Sequence, residues 1–226
     1  MSNLSNLEQA GRNEFGHFDG AVIAEWIVQN GQPDRNMKLV EDFRYHDLVG
    51  NVWTAPANSV INGASIPRFL WEEVGAPYVG NYRRASVIHD VYCENRTRPS
   101  KEVDLMFYHA MRCDNVDYWA ANQMWYAVDK FGPSWEVALD EEREISHESL
   151  VKLTAQESAM SAWVTKPPLY ENDKLGSEPN AFAMILKVVK DVSLQAGPDA
   201  SINQVSDIVD RQLSDGNIRW SDLASH

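Results

Sequence analysis

The sequence predicts an α+β protein in which a small N-terminal antiparallel sheet packs on a helical layer. Residues 37–45 (MKLVEDFRY) alternate apolar and polar side chains as a half-buried strand does, and VWTAP at 52–56 can pair back as a hairpin. The apolar stretch AVIAEWIV at 21–28, followed by the turn residues NGQPD, indicates another strand. From residue 82 to 131, apolar residues recur at helical spacing.

Three consecutive helices are expected in this last region. RTRPS at 96–100 ends the first helix, Ser100 is expected to be the N-cap of the second, and Gly132-Pro133 ends the third. A glycine turn and a short helix over 62–74 precede them. The predicted buried stripes are Ala85, Ile88 and Tyr92; Val103, Met106, Phe107, Ala110 and Met111; and Trp119, Ala120, Met124, Ala127 and Phe131.

The sequence after residue 133 indicates how the chain is divided into domains. Residues 134–164 are expected to be helical, and residues 165–180 (TKPPLYENDKLGSEPN) are typical of an extended linker. We therefore predict a main α+β domain at 1–164, a linker at 165–180 and a helical C-terminal appendage at 181–226. The apolar stripes of its two helices are Phe182, Ile185, Leu186 and Val189, then Val205, Ile208, Val209 and Leu213.

Composition and charge exclude several functional classes. The 226 residues carry a formal charge of -13, which disfavours an electrostatic grip on nucleic acid. No apolar run approaches membrane-spanning length, and the N-terminus MSNLSNLEQA lacks the features of a secretory signal. We expect a soluble cytoplasmic product, with delivery outside the cell by a signal-independent route left open. Two cysteines, Cys93 and Cys113, exclude a disulfide framework.

The stretch VIHDVYCEN at 87–95 places a histidine beside a carboxylate in a predicted helix. Adjacent helical residues point about 100° apart, so His89 and Asp90 must serve different partners. Asp104, on the next helix, can accept a hydrogen bond from one ring nitrogen of His89 and leave the other as a base. Calcium prefers a carboxylate, here that of Asp90, together with backbone carbonyl oxygens of a glycine loop. The turn formed by Asn62, Gly63 and Ala64 can supply that loop.

The pattern H-D-x-Y-x-x-N, followed by D-x-x-F and a cysteine, resembles the paired catalytic helices of the phospholipase A(2) superfamily, particularly its prokaryotic branch. The residues that carry the resemblance are His89, Asp90, Tyr92, Asn95, Asp104, Phe107 and Cys113. The resemblance implies that His89 takes a proton from water, that Asp104 orients the imidazole, and that calcium at Asp90 stabilises the oxyanion. The cysteine-containing calcium loop of the secreted enzymes is missing.

A second resemblance covers residues 37–135. The order of Y-H-D-L-V-G, G-A-S-I-P-R, H-D, a downstream Asp and F-G-x-x-W is similar to an uncharacterised family of phage and bacterial proteins. This resemblance implies no activity. The family's pattern carries Asp where this chain has Asn62, and an amide there would weaken cation binding.

The leading hypothesis is a calcium-dependent, phospholipase-like hydrolase acting on a lipid or cell-envelope substrate, as an antibacterial effector or a phage-associated lysis factor. Such a protein would have an immunity protein or a secretion or phage assembly protein as partner. One alternative pairs Cys93 with His89 in an amidase acting on peptidoglycan or peptides. The other is a non-enzymatic phage- or secretion-associated binding protein, in which the His-Asp network is scaffolding.

The remaining candidate residues allow two interpretations each. Ser65 is interpreted as a capping hydroxyl rather than a nucleophile, and Arg68 can pair with a substrate phosphate or with Asp90. Tyr92 is an accessory candidate near the substrate. Four histidines show no partner spacing and are interpreted as surface or core residues: His17, His46, His109 and His147.

Overall fold

The computed structural model describes residues 14–28, 36–61, 80–137, 162–166 and 179–214, and within them the predicted α+β class is confirmed. The strands are β1 (His17–Asp19), β2 (Ala24–Trp26), β3 (Met37–Leu39), β4 (Phe43–His46), β5 (Val52–Ala55), β6 (Val60–Ile61), β7 (Ser134–Val137) and β8 (Ala162–Lys166). The helices are α1 (Arg83–Asn95), α2 (Ser100–Cys113), α3 (Tyr118–Phe131), α4 (Pro179–Ala196) and α5 (Ile202–Ser214).

The N-terminal strands form two antiparallel three-stranded sheets, in the orders β1-β4-β5 and β2-β3-β6. The stretch 37–45, expected as one strand, is divided between them because the chain turns at Val40–Asp42. The Asp42 carboxylate accepts the backbone N–H of Ala57 at 2.9 Å, which fixes this turn. The expected alternation is present in β4, where Phe43 and Tyr45 are buried and Arg44 and His46 are half-buried.

Helices α1, α2 and α3 follow one another and pack as neighbours, with α1 also resting on β5. Every residue of the predicted stripes in α1 and α2 is buried, so the helical periodicity of this region is confirmed. Ser100 is not the N-cap of α2. Pro99 holds that position, since its carbonyl oxygen accepts the backbone N–H groups of Glu102 and Val103. Ser100 is the first helical residue, and its hydroxyl oxygen accepts the backbone N–H of Trp135 at 3.2 Å.

The prediction of a helix over 134–164 is wrong in the parts of this stretch that the structure describes, which are strands. Residues 134–137 form β7, which pairs antiparallel with β8, and residues 138–161 lie outside the described ranges. The extended backbone lets Trp135 enter the core, where its indole N–H donates to the carbonyl oxygen of Arg98 at 2.7 Å. Gly132 makes this possible, since a Cβ there would overlap the carbonyl oxygen of Val128 in the last turn of α3.

The two predicted C-terminal helices are present and pack on α3. Phe182, Ile185, Leu186 and Val189 of α4 are buried in the same core as α1 to α3. Gln123 of α3 donates to the carbonyl oxygen of Leu186 at 2.8 Å, which ties the helices together. Most of the linker predicted for 165–180 lies outside the described residues, and the domain boundaries stay predictions. Among the described helices, none has the length and apolarity needed to cross a bilayer.

Trp135 should be the main anchor of β7. We expect Trp135→Ala to lower the free energy of unfolding by about 3–5 kcal/mol, because it removes a fully buried indole and its hydrogen bond. The neighbouring exposed residue gives a matched control: Glu136→Ala should change the stability by less than about 0.5 kcal/mol. Urea unfolding followed by circular dichroism measures both, and equal losses would contradict this role of Trp135.

Candidate functional site

The packing of α1 on α2 brings His89 and Asp104 together. Nε2 of His89 lies 3.1 Å from Oδ1 of Asp104, and the two residues are only 2% and 5% exposed. The hydrogen bond expected from the sequence is therefore present. Because the carboxylate accepts a hydrogen bond at Nε2, the neutral imidazole carries its proton there and its lone pair at Nδ1.

Two further side chains complete what we call the His89 cluster, defined as His89, Cys93, Asp104 and Phe107. The ring of Phe107, one helical turn after Asp104, lies 4.6 Å from the imidazole, centroid to centroid. The sulfur of Cys93, one turn after His89, lies 3.6 Å from Nδ1 and 3.7 Å from Nε2. Cys93 is half-buried, whereas the other three are buried, so the cluster reaches the surface at Cys93.

The electrostatics of the cluster favour bound protons. Burial alone lowers the pKa of His89, but the neighbouring Cys93 and the Asp104 carboxylate outweigh it and hold that pKa well above its ordinary value of 6.5. Burial raises the pKa of Asp104, although its contact with His89 acts in the opposite direction. The nearby pair of Asp129 and Lys101, joined at 2.5 Å, affects Asp104 in opposite senses: Asp129 raises its pKa and Lys101 lowers it.

The other predicted site residues lie in different surroundings. Asp90 is buried on α1 beside His89. The hydroxyl oxygen of Tyr92 accepts the backbone N–H of Thr54 at 3.2 Å and its ring packs on Trp53, so Tyr92 joins α1 to β5. The predicted calcium loop and its neighbours lie outside the described residues: Asn62, Gly63, Ala64, Ser65 and Arg68. The roles assigned to all these residues stay predictions.

A second cluster is formed by residues to which the sequence analysis assigned no partner. His17, Asp19 and His46 lie together on β1 and β4, and their ligand atoms are all within 4.8 Å of one another. The interpretation of His17 and His46 as surface or core residues agrees with their half-buried positions, but the contact between them was not predicted. The two residues are distant in sequence, and only the strand register, which pairs His17 with His46, reveals the cluster.

Comparison with known proteins agrees with one of the two predicted resemblances. Residues 37–128 match the family described as "Protein of unknown function (DUF1353)", a range that contains the His89 cluster. The resemblance to an uncharacterised family is thus confirmed. The resemblance to phospholipase A(2) is not shown by these comparisons and stays a prediction. No solved structure matches the chain.

Two relatives from Sinorhizobium fredii (strain NBRC 101917 / NGR234) are similar to about half of this chain. One, "Uncharacterized protein y4jT", is 36% identical over 121 residues, which are 54% of this chain and 35% of the relative. The other, "Uncharacterized protein y4iH", is 35% identical over 127 residues, which are 56% of this chain and 53% of the relative. The matched part thus spans about a third and about half of these relatives.

The raised pKa values of His89 and Asp104 predict a pH-dependent stability. A group whose pKa is higher in the folded state contributes stability that is fully present below its unfolded pKa and is lost as the pH rises through the folded value. For His89 the contribution should be complete below 6.5 and should fade above it. Relative to the double variant His89→Gln/Asp104→Asn, the wild type should therefore lose stability as the pH rises.

Urea unfolding of both proteins from about pH 6 to about pH 9 measures this difference. Because the double variant removes both titrating groups, it leaves no buried carboxylate without its partner. A difference in unfolding free energy that stays constant or grows with pH would contradict the raised pKa of His89.

Proposed function

Starting from a family whose description assigns no activity, we propose that this protein is a hydrolase in which His89 is the general base and Asp104 positions it. The observation that carries the proposal is the buried contact of 3.1 Å between Nε2 and Oδ1. A buried imidazole and carboxylate are costly to desolvate, and a proton-transfer role gives a reason to retain them. Because Nε2 of His89 is hydrogen-bonded to Asp104, Nδ1 is the nitrogen that would take a proton from the nucleophile.

The first form of the proposal uses water as nucleophile and a phospholipid or related ester as substrate. It rests on the resemblance of the helix pair and on the position of Asp90 beside His89. Calcium, when bound, would polarise the ester carbonyl. Of the predicted ligands, Asp90 alone lies among the described residues, and calcium takes about six to eight oxygen ligands. The assignment of Asn62, Gly63 and Ala64 as further ligands, and of Arg68 as a phosphate contact, stays part of the proposal.

The second form uses Cys93 as nucleophile, and the distance of 3.6 Å between its sulfur and Nδ1 of His89 favours it. Asp104, His89 and Cys93 then stand in the order of orienting group, base and nucleophile. The thiolate would attack an amide carbonyl, the amine would leave with a proton from His89, and water would hydrolyse the thioester. Because the cluster reaches the surface at Cys93, an amide of peptidoglycan or a peptide could approach it there.

Both forms belong to the same proposed biological setting, an effector or lysis factor that acts on the envelope of another cell or of the host. Delivery by a signal-independent route and binding of an immunity or assembly protein are part of this proposal. The non-enzymatic alternative, in which the His89 cluster only joins α1 to α2, is an outcome of the experiment below.

Activity should depend on His89 and Asp104 in either form. We expect His89→Ala and Asp104→Asn to reduce the turnover number at least about 100-fold, since general-base catalysis is worth about that much or more. The assays are release of fatty acid from phosphatidylglycerol vesicles and release of amines from purified peptidoglycan. His109→Ala, a histidine of α2 outside the His89 cluster, is the matched control and should keep full activity.

The nucleophile can be read from the same assays. Cys93→Ser should abolish chelator-insensitive amide hydrolysis in the thiol form and leave the water form active. In the water form the rate should rise with pH through the raised pKa of His89, because only the neutral imidazole accepts a proton. In the thiol form the imidazolium stabilises the thiolate, so activity should persist below that pKa. No hydrolysis of either substrate by the folded wild type would overturn the proposal and leave the network structural.

Calcium binding is tested separately by calorimetry. If Asp90 is a ligand, the wild type should bind one calcium ion and Asp90→Asn should bind it at least about 10-fold more weakly, because the substitution removes the charge that hard cations prefer. Glu94→Gln, an exposed acidic residue on the same helix, is the control for nonspecific attraction. No binding by the wild type would remove calcium from the proposal.

A further inference from the structure

We infer that His17, Asp19 and His46 form a binding site for a divalent transition-metal ion of the zinc type. The inference does not depend on the proposed hydrolase, since none of the three residues belongs to the His89 cluster. It goes beyond the calcium prediction as well, because two imidazoles and one carboxylate are a ligand set that suits zinc, copper or nickel rather than calcium.

The strand register places the three side chains on one face. His17 of β1 lies directly opposite His46 of β4, and Asp19 is two residues further along β1, so it shares the face of His17. Phe18, between them, points the other way and stacks on the buried Phe43 with 5.4 Å between ring centroids. The core side of the sheet is thus apolar, and the two histidines and the aspartate occupy its outer side.

The distances suit a chelate that closes with small rotations. Nε2 of His46 lies 2.7 Å from Oδ2 of Asp19, and Nε2 of His17 lies 3.9 Å from Oδ1 of the same carboxylate. Ligand atoms of a tetrahedral zinc site are roughly 3.3 Å apart, given metal bonds of about 2.0–2.1 Å. The first distance must widen and the second must shorten, each by roughly 0.6 Å. Such shifts require rotations about the side-chain torsions, including a tilt of one imidazole out of its stacked orientation.

The three side chains are also accessible to solvent, and the strands that carry them are fixed by the hydrogen bonds of the sheet. The side chains of His17, Asp19 and His46 are 24%, 49% and 28% exposed, so an ion can reach all three from solvent. The two imidazoles are stacked, with centroids 4.5 Å apart and planes 9° from parallel, so at least one ring must tilt before both rings can point a nitrogen lone pair at a shared ion. Their backbones are fixed because β4 is the central strand of its sheet, bonded to β1 and β5. Three protein ligands leave the fourth tetrahedral position for water.

Zinc calorimetry and cobalt absorption on the full chain test this site. The wild type should bind one equivalent of Zn²⁺, and Co²⁺ should give visible d–d bands without a thiolate-to-cobalt band. His17→Gln and His46→Gln should each weaken binding at least roughly tenfold. Asp19→Asn is a further variant, which keeps the shape of the side chain and both histidines but removes the carboxylate. The melting temperature of the wild type should rise with added Zn²⁺, and that of the variants should rise less.

Two controls separate this site from other binding. Glu25→Gln changes a surface carboxylate of the other N-terminal sheet and should bind as the wild type does. The double variant His89→Gln/Cys93→Ser removes the imidazole and thiol of the His89 cluster and should also keep full zinc affinity. The inference is overturned if the wild type does not bind, if His17→Gln and His46→Gln bind normally, or if the double variant loses binding.

Discussion

The hydrogen bond between His89 and Asp104 constrains how the central helices of this protein can pack. Placing two ionisable groups in a core costs several kcal/mol per charge, and losing one partner of such a pair costs about 3–5 kcal/mol. The contact exists only when α1 and α2 meet at one axial position and one rotation. Phe107 reinforces that geometry, because its ring packs against the imidazole from the same helix that carries Asp104. The position of α1 in turn determines where β5 rests, through Tyr92 and Thr54.

The surroundings of Asp104 show how the core tolerates this charge. Asp129 of α3 is buried nearby and accepts a hydrogen bond from Lys101, whose side chain is largely exposed. The two carboxylates repel one another, and the lysine offsets that repulsion from the surface. The pKa of the Asp104 carboxylate therefore depends on groups of α2 and α3 as well as on burial and on His89 of α1. Without Asp129 and Lys101, burial and the contact with His89 would remain to determine that pKa.

The parts of this structure that could be predicted from sequence are those governed by local periodicity. The three central helices, the buried stripes of α1 and α2 and the contact between His89 and Asp104 follow from spacing along neighbouring segments. The stripe predicted for α3 is only partly buried, since Trp119, Ala120 and Phe131 are half-buried. The strand at 134–137 could not be found in this way, because Trp135 is hydrogen-bonded to Ser100 and Arg98, and both of these residues lie far from it in the sequence. The cluster of His17, Asp19 and His46 was missed for the same reason. Register between strands depends on the turns that separate them, and these turns leave no period in the sequence.

Gly132 affects how relatives of this protein should be compared. In the F-G-x-x-W pattern the glycine lets the chain leave α3 beside Val128, and the tryptophan of β7 is buried in the core. Selection for folding alone is enough to preserve such a pattern in proteins of different chemistry. A relative that keeps F-G-x-x-W is therefore expected to keep this exit from α3, whereas the residues at positions 89, 93 and 104 have to be compared separately. Surveys that use the second criterion would separate relatives that keep His89, Cys93 and Asp104 from those that keep only the scaffold.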